Sequence, residues 1–155
     1  MSWIKLLIAA AVIAFCILLG YLAANKYRVR KKFFAQFETF NERYLNELEY
    51  ARKPLSVFLK EYTYSGDFAK VLEAFSEKKP LPKSNSLTKE EETELNDYFS
   101  MLGKGDAQSQ RGFFSARKGV LERKKTESEG EAKKRGELYL KLGLLAGLAI
   151  VILII

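Results

Sequence analysis

An almost wholly apolar stretch, LYLKLGLLAGLAIVILII at residues 138–155, ends the sequence. As a helix rising about 1.5 Å per residue it is about 27 Å long, close to the ~30 Å hydrocarbon layer of a bilayer, provided that the Lys141 ammonium reaches the interface. A buried core helix is the alternative at this length. With Ile155 as the last residue, we predict a transmembrane helix over residues 138–155 that inserts like a tail anchor.

A second apolar run lies at the opposite end of the sequence, where residues 6–24 carry no charge. Its helical length of about 28 Å also matches a bilayer, and we predict a transmembrane helix over residues 4–24. A cleaved signal peptide is the alternative, because Lys5 precedes the run and small residues end it. Residues 25–137 then form one domain between two membrane helices.

Basic residues beside the two runs predict the direction of insertion, because Lys and Arg are retained on the cytoplasmic side. Only Lys5 precedes the first run, whereas a basic cluster follows it and another precedes the second run. The two clusters are Lys26, Arg28, Arg30, Lys31 and Lys32, and Lys133, Lys134 and Arg135. We therefore predict a protein of the cell membrane with a cytoplasmic domain and both termini outside.

The charge and the missing residue types exclude several functions. Much of the net charge of +7 lies next to the apolar runs, so we expect anionic lipid headgroups rather than nucleic acid as its partner. The sequence contains no histidine, and its one cysteine, Cys16, lies inside the first run. Histidine-based catalysis and thiolate metal sites are thereby excluded. We predict no catalytic, metal-binding or cofactor-binding residue and no enzyme activity.

Between the runs the pattern is helical, and no strand pattern occurs. Large residues recur at helical spacing at Phe33, Phe37, Phe40, Tyr44, Leu48 and Ala51. We interpret them as a core stripe rather than a surface that stacks on bases or lipid. Pro54 should break this helix. A short helix should follow, with inward side chains at Leu55, Phe58, Leu59 and Tyr62.

Polar residues and glycines predict where the remaining helices begin and end. The proline-containing segment 76–86 predicts an exposed loop. The expected helix signals are an N-cap at Asp67, a capping box of Thr88 and Glu91, a stop at Gly103 and an N-cap at Asp106. The fold class is therefore all-α, with a transmembrane helix at each end and an antiparallel helical stalk with a small helical bundle between them.

Small residues in the apolar runs indicate close helix packing. Gly143 and Gly147 form a GxxxG pattern, and Gly20 and Ala24 form a second small pair. Such spacing lets two helices approach closely, either within one chain or between the subunits of a homo-oligomer, although small residues also occur at this spacing incidentally. The sequence leaves these alternatives open.

Three segments together resemble the stage III sporulation protein AB family of endospore-forming bacteria: YARKPL at 50–55, LGKGDAQSQ at 102–110 and KLGLLAGLAIVILII at 141–155. The resemblance extends from about Gly20 to the end. The motif residues are Pro54, Leu55, Leu102, Gly103, Asp106, Gln110, Gly143 and Gly147.

The resemblance implies a non-enzymatic membrane platform in the sporulation channel complex, which is assembled between mother cell and forespore during engulfment. Members are similar to the platform proteins of type II secretion and type IV pilus systems. The resemblance thus implies a cytoplasmic domain on the mother-cell side that docks the sporulation ATPase and meets other membrane proteins of the complex. The alternative function is a structural membrane anchor or scaffold without an ATPase partner.

Overall fold

The computed structural model describes residues 2–51 and 53–154, and within these ranges every regular element is helical. The all-α fold is therefore confirmed. The elements are α1 (Ser2–Asn46), a π-helical turn (Glu47–Ala51), α2 (Leu55–Glu61), α3 (Gly66–Ser76), α4 (Lys89–Met101) and α5 (Ala107–Ile154).

The described residues group into two compact units. Residues 2–28 and 129–154 form the first, called here the two-helix unit, and Val29–Ser128 forms the second, called the helical domain. The helices α1 and α5 contribute residues to both units. The predicted domain of residues 25–137 contains the whole helical domain, whereas the membrane boundaries at residues 24 and 138 stay predictions.

In the two-helix unit, glycines bring antiparallel helices into backbone contact. A Cβ atom added at Gly20 would lie 2.5 Å from the carbonyl oxygen of Tyr139, and one at Gly143 would lie 2.7 Å from that of Cys16. Because no larger side chain fits at these distances, the contact depends on glycine. Most apolar side chains of this unit face outward, and both helices are long and apolar enough to cross a membrane.

The helical domain is built around an aromatic core. The predicted stripe on α1 supplies Phe33, Phe37, Phe40 and Tyr44, all at most 6% exposed, while Leu48 is half-buried and Ala51 is exposed. The other helices contribute the buried residues Phe58, Phe68, Val71, Leu72, Leu95, Tyr98, Phe99, Phe114 and Leu121. Many rings meet edge to face, as Phe37 and Tyr98 do with centroids 4.7 Å apart, the arrangement that aromatic quadrupoles favour.

Two buried polar side chains fix the alignment of the helices around this core. The Asn41 amide nitrogen on α1 donates to the carbonyl oxygen of Phe114 on α5 at 3.2 Å. Its amide oxygen accepts from the Tyr98 hydroxyl of α4 at 2.9 Å. Because both polar ends of Asn41 are satisfied only in this alignment, we infer that this residue opposes sliding between the three helices.

Most helix boundaries follow the predicted signals. Thr88 Oγ1 accepts from the Glu91 backbone N–H at 3.2 Å while the Glu91 carboxylate accepts from the Thr88 N–H at 3.1 Å, so the capping box is confirmed. The helix α4 ends at Met101, and Gly103 follows with a positive φ of 75°. The Asp106 carboxylate accepts from the Ser109 N–H at 3.3 Å and caps α5.

Other predictions of local structure are wrong. The helix α3 begins at Gly66 with Ser65 as its N-cap, because the Asp67 carboxylate instead accepts a long-range hydrogen bond from the Ser84 hydroxyl at 2.8 Å. Tyr62 was expected to face inward, but it is 37% exposed and its ring lies against the Arg43 guanidinium, 4.0 Å away. Ser86, in the predicted exposed loop, is buried at 7% exposure.

The chain leaves α1 through a feature that the pattern did not predict. The π-helical turn Glu47–Ala51 interposes between α1 and the predicted break at Pro54, and α2 then starts at Leu55. Arg52 of the YARKPL segment and Ile155 lie outside the described residues. Since π-helical turns are uncommon and occur frequently at functional sites, this corner of the helical domain is a candidate site.

Candidate functional site

Two of the segments that carry the predicted resemblance meet at one corner of the helical domain. The Leu55 side chain packs over Gly103, and a Cβ atom added at Gly103 would lie only 2.7 Å from Leu55 Cδ2. Gly103 also adopts a positive φ of 75°, which L side chains rarely adopt. The positive φ favours glycine here, and the Leu55 side-chain end packs directly over the turn, so the chain folds tightly between α4 and α5.

Tyr44 of α1 joins this turn to the start of α5. Its hydroxyl accepts from the Gly103 N–H at 3.3 Å and donates to the Gln110 side-chain oxygen. The Gln110 amide donates in turn to the carbonyl oxygen of Lys104 at 2.8 Å. Burial raises the pKa of Tyr44, although the hydrogen bond from Gly103 opposes this rise. The hydroxyl therefore stays protonated, and we infer that this network rigidifies the corner.

A groove opens beside this network and connects the corner to the π-helical turn. Its cavity volume is 280 Å³. The lining residues are Tyr44, Glu47, Leu48, Lys53, Leu55, Gly103, Gly105, Ala107 and Gln110. Lys53 forms an ion pair with Glu61 at 2.9 Å, and its backbone N–H donates to the Glu47 carboxylate at 2.7 Å. The hydrogen bond to the Glu61 carboxylate raises the pKa of Lys53, so Lys53 stays charged and paired with Glu61 at neutral pH.

The adjoining face of α2 exposes apolar and basic side chains together. A shallow depression there, called here the α2 surface, is lined by Lys53, Ser56, Val57, Lys60 and Glu61. Val57 is 51% exposed, and Tyr50 on the preceding π-helical turn is 79% exposed. These exposed apolar side chains beside a groove make the α2 surface a candidate contact site for a partner.

A buried charge cluster, called here the Glu91 clamp, ties α4 to both long helices. The Glu91 carboxylate of α4 binds the Arg30 guanidinium of α1 through both oxygens, one of them at 2.6 Å, and the Lys124 ammonium of α5 at 3.0 Å. Burial alone would raise the pKa of Glu91, but the hydrogen bonds from Arg30, Lys124 and the Thr88 N–H outweigh it and hold the pKa at about 2.

The predicted basic clusters fall into different environments. Lys26, Lys31, Lys32, Lys133, Lys134 and Arg135 are exposed. The Arg28 guanidinium lies over the Tyr21 ring, 3.9 Å from its centroid. Arg30 is different, because its side chain is only 12% exposed and is held by Glu91. Arg30 therefore belongs to the Glu91 clamp in the structure, while the juxtamembrane role of the basic cluster stays a prediction.

An acidic group on the surface of the helical domain is bound by lysines. Carboxylate oxygens of Glu38, Glu42 and Glu122 lie within 4.8 Å of one another. Lys125 reaches Glu38 at 3.3 Å and Lys118 reaches Glu42 at 3.9 Å. These ammonium groups neutralise two of the three carboxylates. Ion pairing with lysine therefore explains why the carboxylates lie close together.

Sequence reasoning missed the side chains that connect the motifs. Tyr44 was predicted only as a core residue, and Glu91 only as a helix cap, although each joins distant segments. Polar groups inside an otherwise apolar stripe are the signal that could have singled them out, because a buried hydroxyl or carboxylate needs a partner.

In comparisons with known proteins, the model of the family described as Stage III sporulation protein AB matches residues 77–155, slightly more than half of the chain. The match includes Leu102, Gly103, Asp106, Gln110, Gly143 and Gly147, whereas Pro54 and Leu55 precede it. No curated protein and no solved structure matches the chain.

Proposed function

The chain belongs to the stage III sporulation protein AB family, which implies a role in sporulation, and from this membership we propose that it is a membrane platform of the sporulation channel complex. In this role it docks a cytoplasmic ATPase and carries out no chemistry itself. The proposal places it in the cell membrane between mother cell and forespore, with the helical domain on the mother-cell side.

The two-helix unit supports the membrane part of this proposal. Leu6, Leu7 and Leu145 are each more than 60% exposed. Apolar surface on this scale is not stable in water, because each exposed Å² has an unfavourable free energy of about 25 cal/mol. A bilayer removes this surface from water, and the basic residues next to both helices support a cytoplasmic helical domain.

The α2 surface and the adjoining groove are the observation that carries the docking proposal. Lys53 is paired with Glu61, but Lys60 places positive charge beside the exposed Val57, so the surface suits a partner segment that presents apolar and acidic side chains together. The network of Tyr44, Gly103 and Gln110 holds the groove in shape behind it. A rigid surface of this kind loses little conformational entropy on binding.

The long helices support a mechanical role for the platform. Both α1 and α5 contribute residues to the helical domain and to the two-helix unit, and the Glu91 clamp fixes α4 to both of them. We propose that movements of the bound ATPase are transmitted along these helices to the membrane.

Binding of the purified full-length chain, in detergent, to the sporulation ATPase tests the proposal. We expect wild-type binding and at least a tenfold weaker affinity for Val57→Asp and for Lys60→Glu, measured by biolayer interferometry with ATP, ADP and no nucleotide. Thr126→Asp and Lys89→Glu introduce the same changes at other exposed positions of the helical domain and should bind like the wild type.

Failure of the wild-type chain to bind the ATPase in every nucleotide state would refute the docking proposal. The alternative, a structural anchor or scaffold without an ATPase partner, would then be favoured. Equal weakening by the control variants would instead show that charge alone, and not the α2 surface, controls binding.

A further inference from the structure

One end of the two-helix unit carries a concentration of positive charge. Residues 2–28 contain no acidic residue, and Lys26 and Arg28 lie at their end. Across from them on α5 are Lys133, Lys134 and Arg135, among the acidic residues Glu129, Glu131 and Glu137. The five cations therefore outnumber the three acidic side chains, and this end of the unit carries a net positive charge. The lysines and Arg135 are exposed to solvent in the structure.

Arg28 is directed toward the predicted membrane span and not away from it. Its guanidinium lies 3.9 Å from the ring centroid of Tyr21, seven residues back along the helix. Seven residues correspond to about 10 Å of helix, so the charge lies level with the end of the predicted span of residues 4–24. A cation at this depth is stable only with a counter-ion or water beside it. The adjacent ring orients the guanidinium through a cation–π contact.

The second arginine is held in a similar way by an aromatic pair between the helices. The rings of Tyr27 and Tyr139 stack with centroids 6.2 Å apart. The Arg135 guanidinium lies 5.7 Å from the Tyr27 centroid. Tyrosines at the ends of apolar helices are typical of the headgroup level of a membrane. Both arginines are thus presented at the depth at which lipid phosphates lie.

We propose that Arg28 and Arg135, with the exposed Lys26, Lys133 and Lys134, bind the headgroup of an anionic phospholipid at the cytoplasmic ends of the two membrane helices. This inference rests on the membrane insertion proposed above, but it does not require an ATPase partner. The position of Arg28 at the end of the predicted span favours a lipid phosphate over a soluble one, because the bilayer itself concentrates anionic headgroups at this level.

Native mass spectrometry of the full-length chain in detergent tests the inference by counting retained lipids. The probes are phosphatidylglycerol, zwitterionic phosphatidylcholine and inorganic phosphate. We expect selective retention of phosphatidylglycerol. A contribution of about fivefold in affinity for each cation predicts about 25-fold weaker retention by the double variant Arg28→Gln/Arg135→Gln. Tyr21→Leu should also weaken retention, whereas Tyr21→Phe, which keeps the ring face, should not.

The matched control is Arg111→Gln/Arg123→Gln, which removes the same charge from exposed positions of the helical domain and should leave lipid retention unchanged. Equal loss in this control, or unchanged retention in Arg28→Gln/Arg135→Gln, would overturn the proposed site. Full displacement of phosphatidylglycerol by inorganic phosphate would show a soluble-anion site instead. Carbonate extraction of membranes tests membrane insertion independently of lipid retention. ATPase binding likewise tests the platform proposal independently of the lipid site.

Discussion

At the scale of single residues, the Glu91 carboxylate and Gly103 constrain the helical domain. Glu91 is satisfied by a guanidinium, an ammonium and a backbone N–H from different parts of the helical domain. Gly103 is constrained both by its positive φ and by the Leu55 side chain above it. Each constraint predicts a measurable loss of stability for one substitution.

Glu91→Gln should lower the free energy of unfolding by about 3 kcal/mol at neutral pH, because it leaves Arg30 and Lys124 without their carboxylate. The measurement is urea unfolding of the full-length chain in detergent, followed by circular dichroism. Glu90→Gln changes an exposed neighbour on the same helix and should differ little from the wild type.

The same carboxylate predicts how stability depends on pH. Folding lowers the pKa of Glu91 from 4.5 to about 2, so the folded state binds this proton more weakly than the unfolded state. The stabilising contribution is therefore complete above about pH 4.5 and is lost as the pH falls toward 2. Between these values the difference in melting temperature between wild type and Glu91→Gln should shrink. A difference that stays constant would contradict the role of this charge.

Gly103→Ala should destabilise the helical domain by about 2 kcal/mol. At least half of this loss is the strain of a positive φ, and the rest is the shift of the Leu55 side-chain end that the added Cβ atom requires. Gly105→Ala is the matched control, since Gly105 has a φ of +87° but open space around its Cβ position. Its loss should be only about 1 kcal/mol, from backbone strain alone. Equal losses in chemical unfolding would show that the Leu55 contact has no role.

At the scale of helices, the small residues of the two apolar runs decide which helices pair. Cβ positions built at Gly143 and Gly147 meet atoms of Cys16 and Ile13 in the same chain. The GxxxG pattern therefore faces the first helix in this structure. If the helices paired between subunits, these contacts would be made with another chain. A cross-link distinguishes pairing within one chain from pairing between subunits.

Gly147→Cys should form an intrachain disulfide with Cys16 on mild oxidation in membranes, because the two Cβ positions lie 3.4 Å apart, close to the usual disulfide separation. Intact mass spectrometry should show a monomer that has lost a pair of hydrogen atoms. A dimer mass would instead indicate pairing between subunits. Gly136→Cys, in open space on α5, should leave both thiols free.

At the scale of the whole molecule, the distribution of charge predicts its orientation in the membrane. With Cys16→Ser as background, Asn85→Cys places a single thiol in the exposed part of the 77–88 connection, where Asn85 is accessible to solvent. A membrane-impermeant maleimide should label it only after cell lysis, which would place the helical domain in the cytoplasm. Labelling of intact cells would place this domain outside and contradict the proposed access of an ATPase.

Features that depend on neighbouring residues along the chain could be predicted from the sequence. The apolar stripe of α1, the break near Pro54, the capping box of Thr88 and the stop at Gly103 follow from local rules of periodicity and capping, which act over about one turn of helix. The same locality explains the error at Asp67, whose side chain bonds Ser84 from a distant segment and so does not cap α3.

Contacts between distant residues, in contrast, are known only from the folded chain. The Glu91 clamp, the contact of Leu55 with Gly103 and the hydrogen bonds of Tyr44 join segments more than 30 residues apart. No periodicity connects such positions, because their partners are selected by helix packing and by the need of every buried polar group for a hydrogen bond. The candidate site around Leu55, Gly103 and Tyr44 therefore becomes visible only in the folded protein.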